Sequence, residues 1–175
     1  YQCDWSSDVC SSDLAHALGQ RLSQPVPALD ALAYETAEGS FLRPTSLAEV
    51  FPLLEGRPDA RLVAGATEIG VEINKRGREF PCLVSTDAVP ELHVLAATPD
   101  GGWRIGAAVP LTAIEDKVAP HYPPLARLIR WFAARQVRNR ATLGGNLATA
   151  SPIGDSAPLL LALRSEEHTS ELQSH

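Results

Sequence analysis

Apolar residues recur with helical spacing shortly after residue 41. Four of them occupy positions i, i+3, i+4 and i+7, which form one face of a helix: Leu47, Val50, Phe51 and Leu54. Ser46 precedes this face and Glu49 follows three residues later, the sequence pattern of a capping box. Gly56 is suited to end the element. The pattern predicts a helix within "PTSLAEVFPLLEG", with Pro52 as an unfavourable residue in its middle.

The next three runs predict a strand, a helix and a second strand. "ARLVAG" (60–65) is a short apolar run that ends at a glycine, and "PCLVST" (81–86) reads as another buried strand. Between them, "TEIGVEINKRG" (67–77) has Thr67 as a cap and Gly77 as a stop, which predicts a short helix. Together the runs predict a compact βαβ-like unit.

The pattern changes again in the second half of the chain. "HVLAATPDGGWRIGAAV" (93–109) predicts a hairpin, because turn residues separate two β-prone runs. "LTAIEDKV" (111–118) predicts a short helix. "PPLARLIRWFAARQ" (123–136) predicts the best helix of the chain, with Pro124 in its first turn. Its apolar stripe consists of Leu125, Leu128, Ile129 and Phe132. The mixture of elements predicts an α+β fold.

Both ends of the chain lack this pattern and are related to each other at the level of DNA. One legal coding of Arg164–His175, read as its reverse complement, encodes "DWSSDVCSSDL", which is identical to Asp4–Leu14. Natural termini have no reason to be reverse complements, and the coding string resembles a sequencing adaptor. We therefore interpret residues 1–14 and 164–175 as translated adaptor rather than as natural disordered tails.

Removing the ends changes the composition. They hold six acids and one arginine, so the reported net charge of −6 falls close to zero in residues 15–163 and indicates no class of partner. Residues 15–40, with two prolines and no sustained period, are predicted as a linker, and 41–163 as a partial domain.

Cys82 is the only cysteine between the ends, which excludes a disulfide framework, a zinc-cysteine site or an iron–sulfur cluster there. No membrane span or signal peptide is visible, so the expected location is the cytoplasm.

The loop "LVAGATEIG" (62–70) joins the first predicted strand to the helix after it. Gly65 would let the backbone approach a ligand closely, and the amides that open the helix would attract an anion. Thr67 adds a hydroxyl donor. The loop lacks the spacing of the GxGxxG and P-loop fingerprints, and an ordinary tight strand–helix connection is the alternative.

A second glycine loop, "ATLGGNLATASPIGDS" (141–156), carries small polar side chains. Consecutive amides at Gly144-Gly145 could form a concave anion nest. Asn146, Thr142 and Thr149 could donate to a phosphate or a sugar, and Asp155 could accept. Four arginines lie just upstream: Arg130, Arg135, Arg138 and Arg140. A solvated basic helix face and a Gly-rich surface turn are the alternatives. Together, the two loops and the arginines predict a bound diphosphate ligand.

Two segments carry a resemblance to a known family. "LVAGATEIGVEINKRGREFPCLVSTDAVPEL" and "RWFAARQVRNRATLGGNLATASPIGDSAP" resemble the FAD-binding domain of xanthine dehydrogenase, in the bacterial small-subunit form of this molybdenum hydroxylase family. The resemblance runs from about Phe41 to Leu163. It implies the N-terminal part of a PCMH/vanillyl-alcohol-oxidase type FAD-binding domain, with a small βαβ-like subdomain and the start of a second α+β subdomain.

The resemblance also implies which residues contact the cofactor. The first loop would wrap the FAD diphosphate with Leu62, Val63, Ala64, Gly65, Ala66, Thr67, Glu68 and Ile69. An aromatic, Phe132, would contact the flavin cofactor. The second loop would hold the other side of the diphosphate and the sugar chain with Thr142, Leu143, Gly144, Gly145 and Asn146. Asp155 would bond another polar part of FAD, with Thr149 and Ser151 as weaker candidates. No catalytic residue and no metal ligand is expected.

In the family, FAD takes electrons from iron–sulfur centres and passes them to NAD, while a molybdenum cofactor domain hydroxylates the purine. Since this chain has neither of those other centres, the expected partners are iron–sulfur and molybdenum domains or subunits of the same enzyme, and no nucleic acid or membrane. The expected activity is that of a purine-catabolising oxidoreductase, with the chain alone inactive. The alternatives are the flavin subunit of a hydroxylase for carbon monoxide or an aromatic heterocycle, and a non-catalytic nucleotide-binding module.

Overall fold

The computed structural model describes residues 17–24, 27–150 and 154–163. A short helix, α1 (Ala17–Leu22), precedes a four-stranded sheet built from β1 (Leu32–Glu35), β2 (Ser40–Arg43), β3 (Ala60–Val63) and β4 (Cys82–Ser85). The strand order is β1-β2-β4-β3. Strand β4 is parallel to both of its neighbours, while β1 is antiparallel to β2.

Two helices connect the parallel strands. α2 (Leu47–Gly56) follows β2, and α3 (Thr67–Arg76) joins β3 to β4, which confirms the predicted βαβ-like unit. The core of this half consists of the buried Leu42, Cys82 and Val84, with Leu53 and Leu62 among the residues packed against it. Burial of these apolar side chains stabilises the sheet against its helices.

Strand β1 lies inside the segment predicted as a linker. It pairs with β2 from Leu32 opposite Arg43 to Glu35 opposite Ser40. Ordered structure therefore begins earlier than Phe41, the residue that the pattern indicates. All four β1 residues are exposed, so neither face of the strand requires apolar residues and no alternation could reveal it.

The second half begins with the predicted hairpin, formed by β5 (Leu95–Ala97) and β6 (Trp103–Ile105) in antiparallel register. Five helices follow: α4 (Leu111–Lys117), α5 (Pro123–Trp131), α6 (Arg135–Arg138), α7 (Leu143–Ala148) and α8 (Ser156–Ala162). Two 3₁₀ turns lie at Pro90–His93 and Ala119–His121. The core of this half consists of Val109, Leu111, Ile114, Val118, Ala119, Leu125, Ile129 and Ala141. Among the helices of residues 17–24, 27–150 and 154–163, none is long and apolar enough to cross a membrane.

Three helix ends differ from the sequence-based prediction. Ser46 is the N-cap of α2 but makes no side-chain cap bond; instead the Glu49 carboxylate accepts from the Thr45 amide at 2.7 Å. The N-cap of α3 is Ala66, one residue before the predicted Thr67. Helix α5 ends at Trp131 because Ala133 has a left-handed φ of 48°, which a continuous helix cannot contain.

Candidate cofactor-binding site

The two glycine loops touch at Gly65. A Cβ added to Gly65 would lie 1.7 Å from the carbonyl oxygen of Arg140 and 3.0 Å from the amide nitrogen of Ala141. Only glycine fits such an approach of two backbones. The turn itself uses the next residue, because Ala66 has the left-handed φ of 60° and Gly65 does not. Gly65 is therefore required for loop contact, and the sharp turn belongs to Ala66.

The first loop presents a row of backbone amides with no acceptor in the described part of the chain. Within the three ranges that the structure describes, the amides from Ala64 to Ile69 donate no hydrogen bond, and the first bond of the helix runs from Gly70 N to Ala66 O at 2.8 Å. They belong to the loop after β3 and to the first turn of the ten-residue helix α3. Unpaired amides and the helix dipole together favour an anion here. Leu62 and Val63 lead into the loop as the last residues of β3.

The glycines of the second loop do not form the predicted anion nest. They lie in the first turn of α7, where Gly144 N donates to Ala107 O at 3.2 Å and Gly145 N donates to Thr142 Oγ1 at 3.0 Å. A Cβ on Gly144 would lie 2.6 Å from the Ala107 carbonyl oxygen. These glycines therefore serve close packing, and Thr142 is a buried helix cap whose hydroxyl oxygen accepts from the Gly145 amide. Sequence reasoning missed Ala107, because nothing near it in the chain marks the contact.

Three other polar side chains or hydroxyls of this loop, those of Asn146, Thr149 and Ser156, also bond within the protein. The Ser156 hydroxyl bonds to Asn146 Oδ1, and the Thr149 hydroxyl donates to the Asn146 carbonyl at 3.1 Å. Asp155 is exposed at the start of α8. Ser151 lies outside the described residues. Asn146 and Asp155 are thus brought near each other, because Ser156, the residue after Asp155, bonds to Asn146.

Phe132 lies where the predicted helix stripe and the second loop meet. It is partly buried against the helical core, as the periodicity predicts. It also lines a small internal cavity of about 30 Å³ together with Leu143 and Asn146. The structure therefore brings three of the predicted cofactor contacts to one place, and a flavin contact by Phe132 stays a prediction.

The arginine cluster is not the surplus of positive charge that the sequence indicates. Arg135 pairs with Glu115 and Asp116 at 3.0 and 3.1 Å, and Arg138 pairs with Glu115 at 3.1 Å. Arg140 pairs with an acid 53 residues away in sequence, Asp87, at 3.3 Å. Only Arg130 makes no ion pair with the described part of the chain. The one-sided charge was an effect of counting along the sequence, since the compensating acids come from other elements.

Comparison with known proteins decides the family. A family model for the FAD binding domain in molybdopterin dehydrogenase matches residues 34–173. The chain belongs to this family. The match covers the sheet, both glycine loops and the helices between them. It confirms the FAD-binding-domain prediction and the predicted α+β fold class.

Relatives of this FAD-binding domain include xanthine dehydrogenases. Xanthine dehydrogenase 2 of Arabidopsis thaliana is 37% identical over 138 residues, which are 73% of this chain and 10% of that protein. Xanthine dehydrogenase/oxidase of Rattus norvegicus is 34% identical over 142 residues, 75% of this chain and 11% of that protein. This chain therefore spans about a tenth of the length of these relatives.

Solved structures give the same fold. Quinoline 2-oxidoreductase from Pseudomonas putida 86 is similar with a TM-score of 0.60 and 33% identity, over 67% of this chain and 42% of that one. A cyanide-inactivated Cu,Mo-CO dehydrogenase is similar with a TM-score of 0.64 and 26% identity, over 70% of this chain and 44% of that one.

Proposed function

We propose that the FAD-binding domain holds the cofactor's diphosphate on the backbone amides from Ala64 to Ile69. The observation that carries this proposal is the row of amides without an acceptor in the described residues. A diphosphate accepts such hydrogen bonds and carries the negative charge that a helix N-terminus favours. The backbone of Leu62 and Val63 sets the position of the row, because it belongs to the sheet.

The second loop has a different role in this proposal. Its glycines Gly144 and Gly145 hold α7 against Ala107 and Thr142. The side chains of Phe132, Leu143 and Asn146, which share a cavity, contact the cofactor beyond its diphosphate, and Asp155 accepts from one of its polar groups. FAD supplies the redox chemistry when bound, while the protein supplies binding and orientation.

The family also supports a proposal for the activity of the whole enzyme. We assign the domain to a xanthine dehydrogenase-like oxidoreductase of purine catabolism in the cytoplasm, in which it receives electrons from iron–sulfur centres and delivers them to NAD. Its partners are then iron–sulfur and molybdenum domains or subunits of the same enzyme. The identity of 37% with a xanthine dehydrogenase supports this assignment. The similarity to quinoline 2-oxidoreductase and to a CO dehydrogenase supports the alternative, a flavin subunit that serves another substrate.

A charge at the N-cap of α3 tests the diphosphate site. Ala66 is exposed, and both Asp and Asn tolerate its left-handed φ of 60°. The Asp carboxylate places a negative charge beside the free amides, so Ala66→Asp should weaken FAD binding about 10- to 100-fold at low salt. The matched variant Ala66→Asn has nearly the same shape without the charge, and it should stay within about threefold of the unmodified chain.

Quenching of FAD fluorescence during titration measures the dissociation constants. The ratio between the Asp and Asn variants should shrink as salt is raised, because the effect is electrostatic. Equal affinity of both variants would place the diphosphate elsewhere. If the unmodified chain shows no saturable FAD binding, the result would support the alternative of a non-catalytic nucleotide-binding module that holds no FAD.

A further inference from the structure

Arg138 is a nearly buried cation whose side chain is not used by the proposed site. Its side chain is 11% exposed. Its Nη1 donates to the carbonyl oxygens of Phe132 and Ala133, at 2.8 and 2.5 Å. Its Nε and Nη2 donate to the two carboxylate oxygens of Glu115, at 3.1 and 3.4 Å. One guanidinium therefore ties α4, the end of α5 and α6 together.

The two carbonyls lie at the C-terminal end of α5, where both the unpaired carbonyls and the backbone conformation require stabilising contacts. The last carbonyls of a helix have no partner within the helix. Phe132 is the C-cap of α5, and Ala133 after it has a left-handed φ of 48°, a conformation that costs free energy for any residue with a Cβ. Arg138 satisfies both carbonyls at this turn, so it stabilises the conformation that ends the helix at Phe132.

We propose that Arg138, held by Glu115, is a positioning residue that fixes Phe132 for its contact with the bound cofactor. This inference rests on the proposed function, in which Phe132 contacts FAD. The guanidinium is suited to the task because its donors lie in a rigid plane and can reach a carbonyl pair and a carboxylate together. A lysine has one charged nitrogen and cannot span both groups in this way.

Arg135 provides a matched control on the same helix. It also pairs with Glu115, at 3.0 Å, but its side chain is 51% exposed, and its hydrogen bonds go to Glu115 and Asp116, with none to Phe132 or Ala133 in the described residues. Loss of Arg135 therefore removes a nearby charge and a Glu115 contact without releasing the turn.

The experiment combines these arginines with Phe132 in a mutant cycle on the full chain. Arg138→Gln and Arg135→Gln are each made with Phe132 present and in a Phe132→Leu background, and FAD affinity is measured by fluorescence titration. Arg138→Gln should raise the dissociation constant about tenfold when Phe132 is present and less than about twofold with Phe132→Leu. Arg135→Gln should change it less than about twofold in both backgrounds. Arg138→Lys, which keeps the charge but loses the planar donors, should resemble Arg138→Gln.

A second measurement needs no cofactor. The Phe132 amide donates to Leu128 O and Ile129 O at the end of α5, so its hydrogen exchange should accelerate in Arg138→Gln and Arg138→Lys and remain unchanged in Arg135→Gln. Melting temperatures show whether each variant is folded.

The outcomes separate this inference from the proposed function. Equal effects of the two arginines, or an Arg138 effect on affinity that persists in the Phe132→Leu background, would overturn the positioning role. Exchange at Phe132 that does not respond to Arg138→Lys would overturn it as well. If hydrogen exchange at Phe132 responds as expected but no variant binds FAD, the conclusion that Arg138 stabilises the turn at Ala133 holds. The cofactor role of Phe132, and with it the proposed function, then fails.

Discussion

Gly65 is the residue at which the two halves of the site meet. Its backbone lies so close to Arg140 that no side chain can be accommodated between them. Gly70, five residues later in α3, has open space around it instead, with no atom within 4 Å of an added Cβ. The two glycines therefore differ in what they contribute, although both lie in the same conspicuous stretch of sequence.

This difference predicts opposite effects of the same substitution. Gly65→Ala should lower the free energy of unfolding by at least about 1–3 kcal/mol, because the backbone must move to remove the clash. Gly70→Ala, inside a helix, should raise it by about 0.5–1 kcal/mol through helix propensity. Urea unfolding of the two variants measures both changes. A similar effect of the two substitutions would show that the loops are not in contact.

At the scale of single residues, the sequence predicts which residue types matter, but it predicts only in part what each residue contacts. Gly65 and Gly144 indicated a close approach of the backbone to a ligand, and in the structure their backbones lie close to Arg140 and Ala107 of the chain itself. The nest at Gly144-Gly145 was wrong, since the partners of these amides, Ala107 O and Thr142 Oγ1, depend on how α7 packs against residue 107. Periodicity placed Phe132 in the apolar stripe, and it is packed against that core.

At the scale of elements, ion pairs with acids of other elements compensate most of the arginine cluster. Glu115 on α4 accepts from both Arg135 and Arg138 on α6 and is 26% exposed. Asp87, which follows β4, accepts only from Arg140 in the described residues, in a pair whose arginine is 58% exposed. The Arg138–Glu115 pair is largely shielded from water, whereas the arginine of the Arg140–Asp87 pair is open to it.

The two acids should therefore differ in their contribution to stability. Glu115→Gln should lower the free energy of unfolding by about 1.5–3 kcal/mol, since it weakens charge-assisted bonds to a nearly buried arginine. Asp87→Asn should cost about 0–1 kcal/mol, the usual range for an exposed pair. Thermal unfolding at two salt concentrations provides the test. A larger loss of unfolding free energy in Asp87→Asn than in Glu115→Gln would contradict the structural role assigned to Arg138.

Elements with a buried apolar face or a marked turn between two β-prone runs were predictable, and elements with neither were not. The βαβ-like unit, the hairpin and the start of α5 follow from period and turn residues. Strand β1 could not be predicted because all of its residues are exposed, and the end of α5 at Trp131 depends on a turn at Ala133 that Arg138 holds from another helix.

At the scale of the whole molecule, the sheet half and the helical half are joined by contacts between residues distant in sequence. Asp87 pairs with Arg140, and Gly65 packs against Arg140. No local pattern predicts such contacts. The resemblance to a family carried this information instead, because the two loops occur together in the FAD-binding domain of molybdopterin dehydrogenases.

The most direct test of the central claim is an amide NMR titration of the ¹⁵N-labelled chain with FAD, inorganic pyrophosphate and adenosine. The free amides from Ala64 to Ile69 should shift with FAD and with pyrophosphate, and they should not respond to adenosine, which lacks the diphosphate. If pyrophosphate leaves these amides unchanged, or if FAD shifts only residues near Arg130 and α5, the diphosphate site does not lie at the start of α3 and the account is wrong.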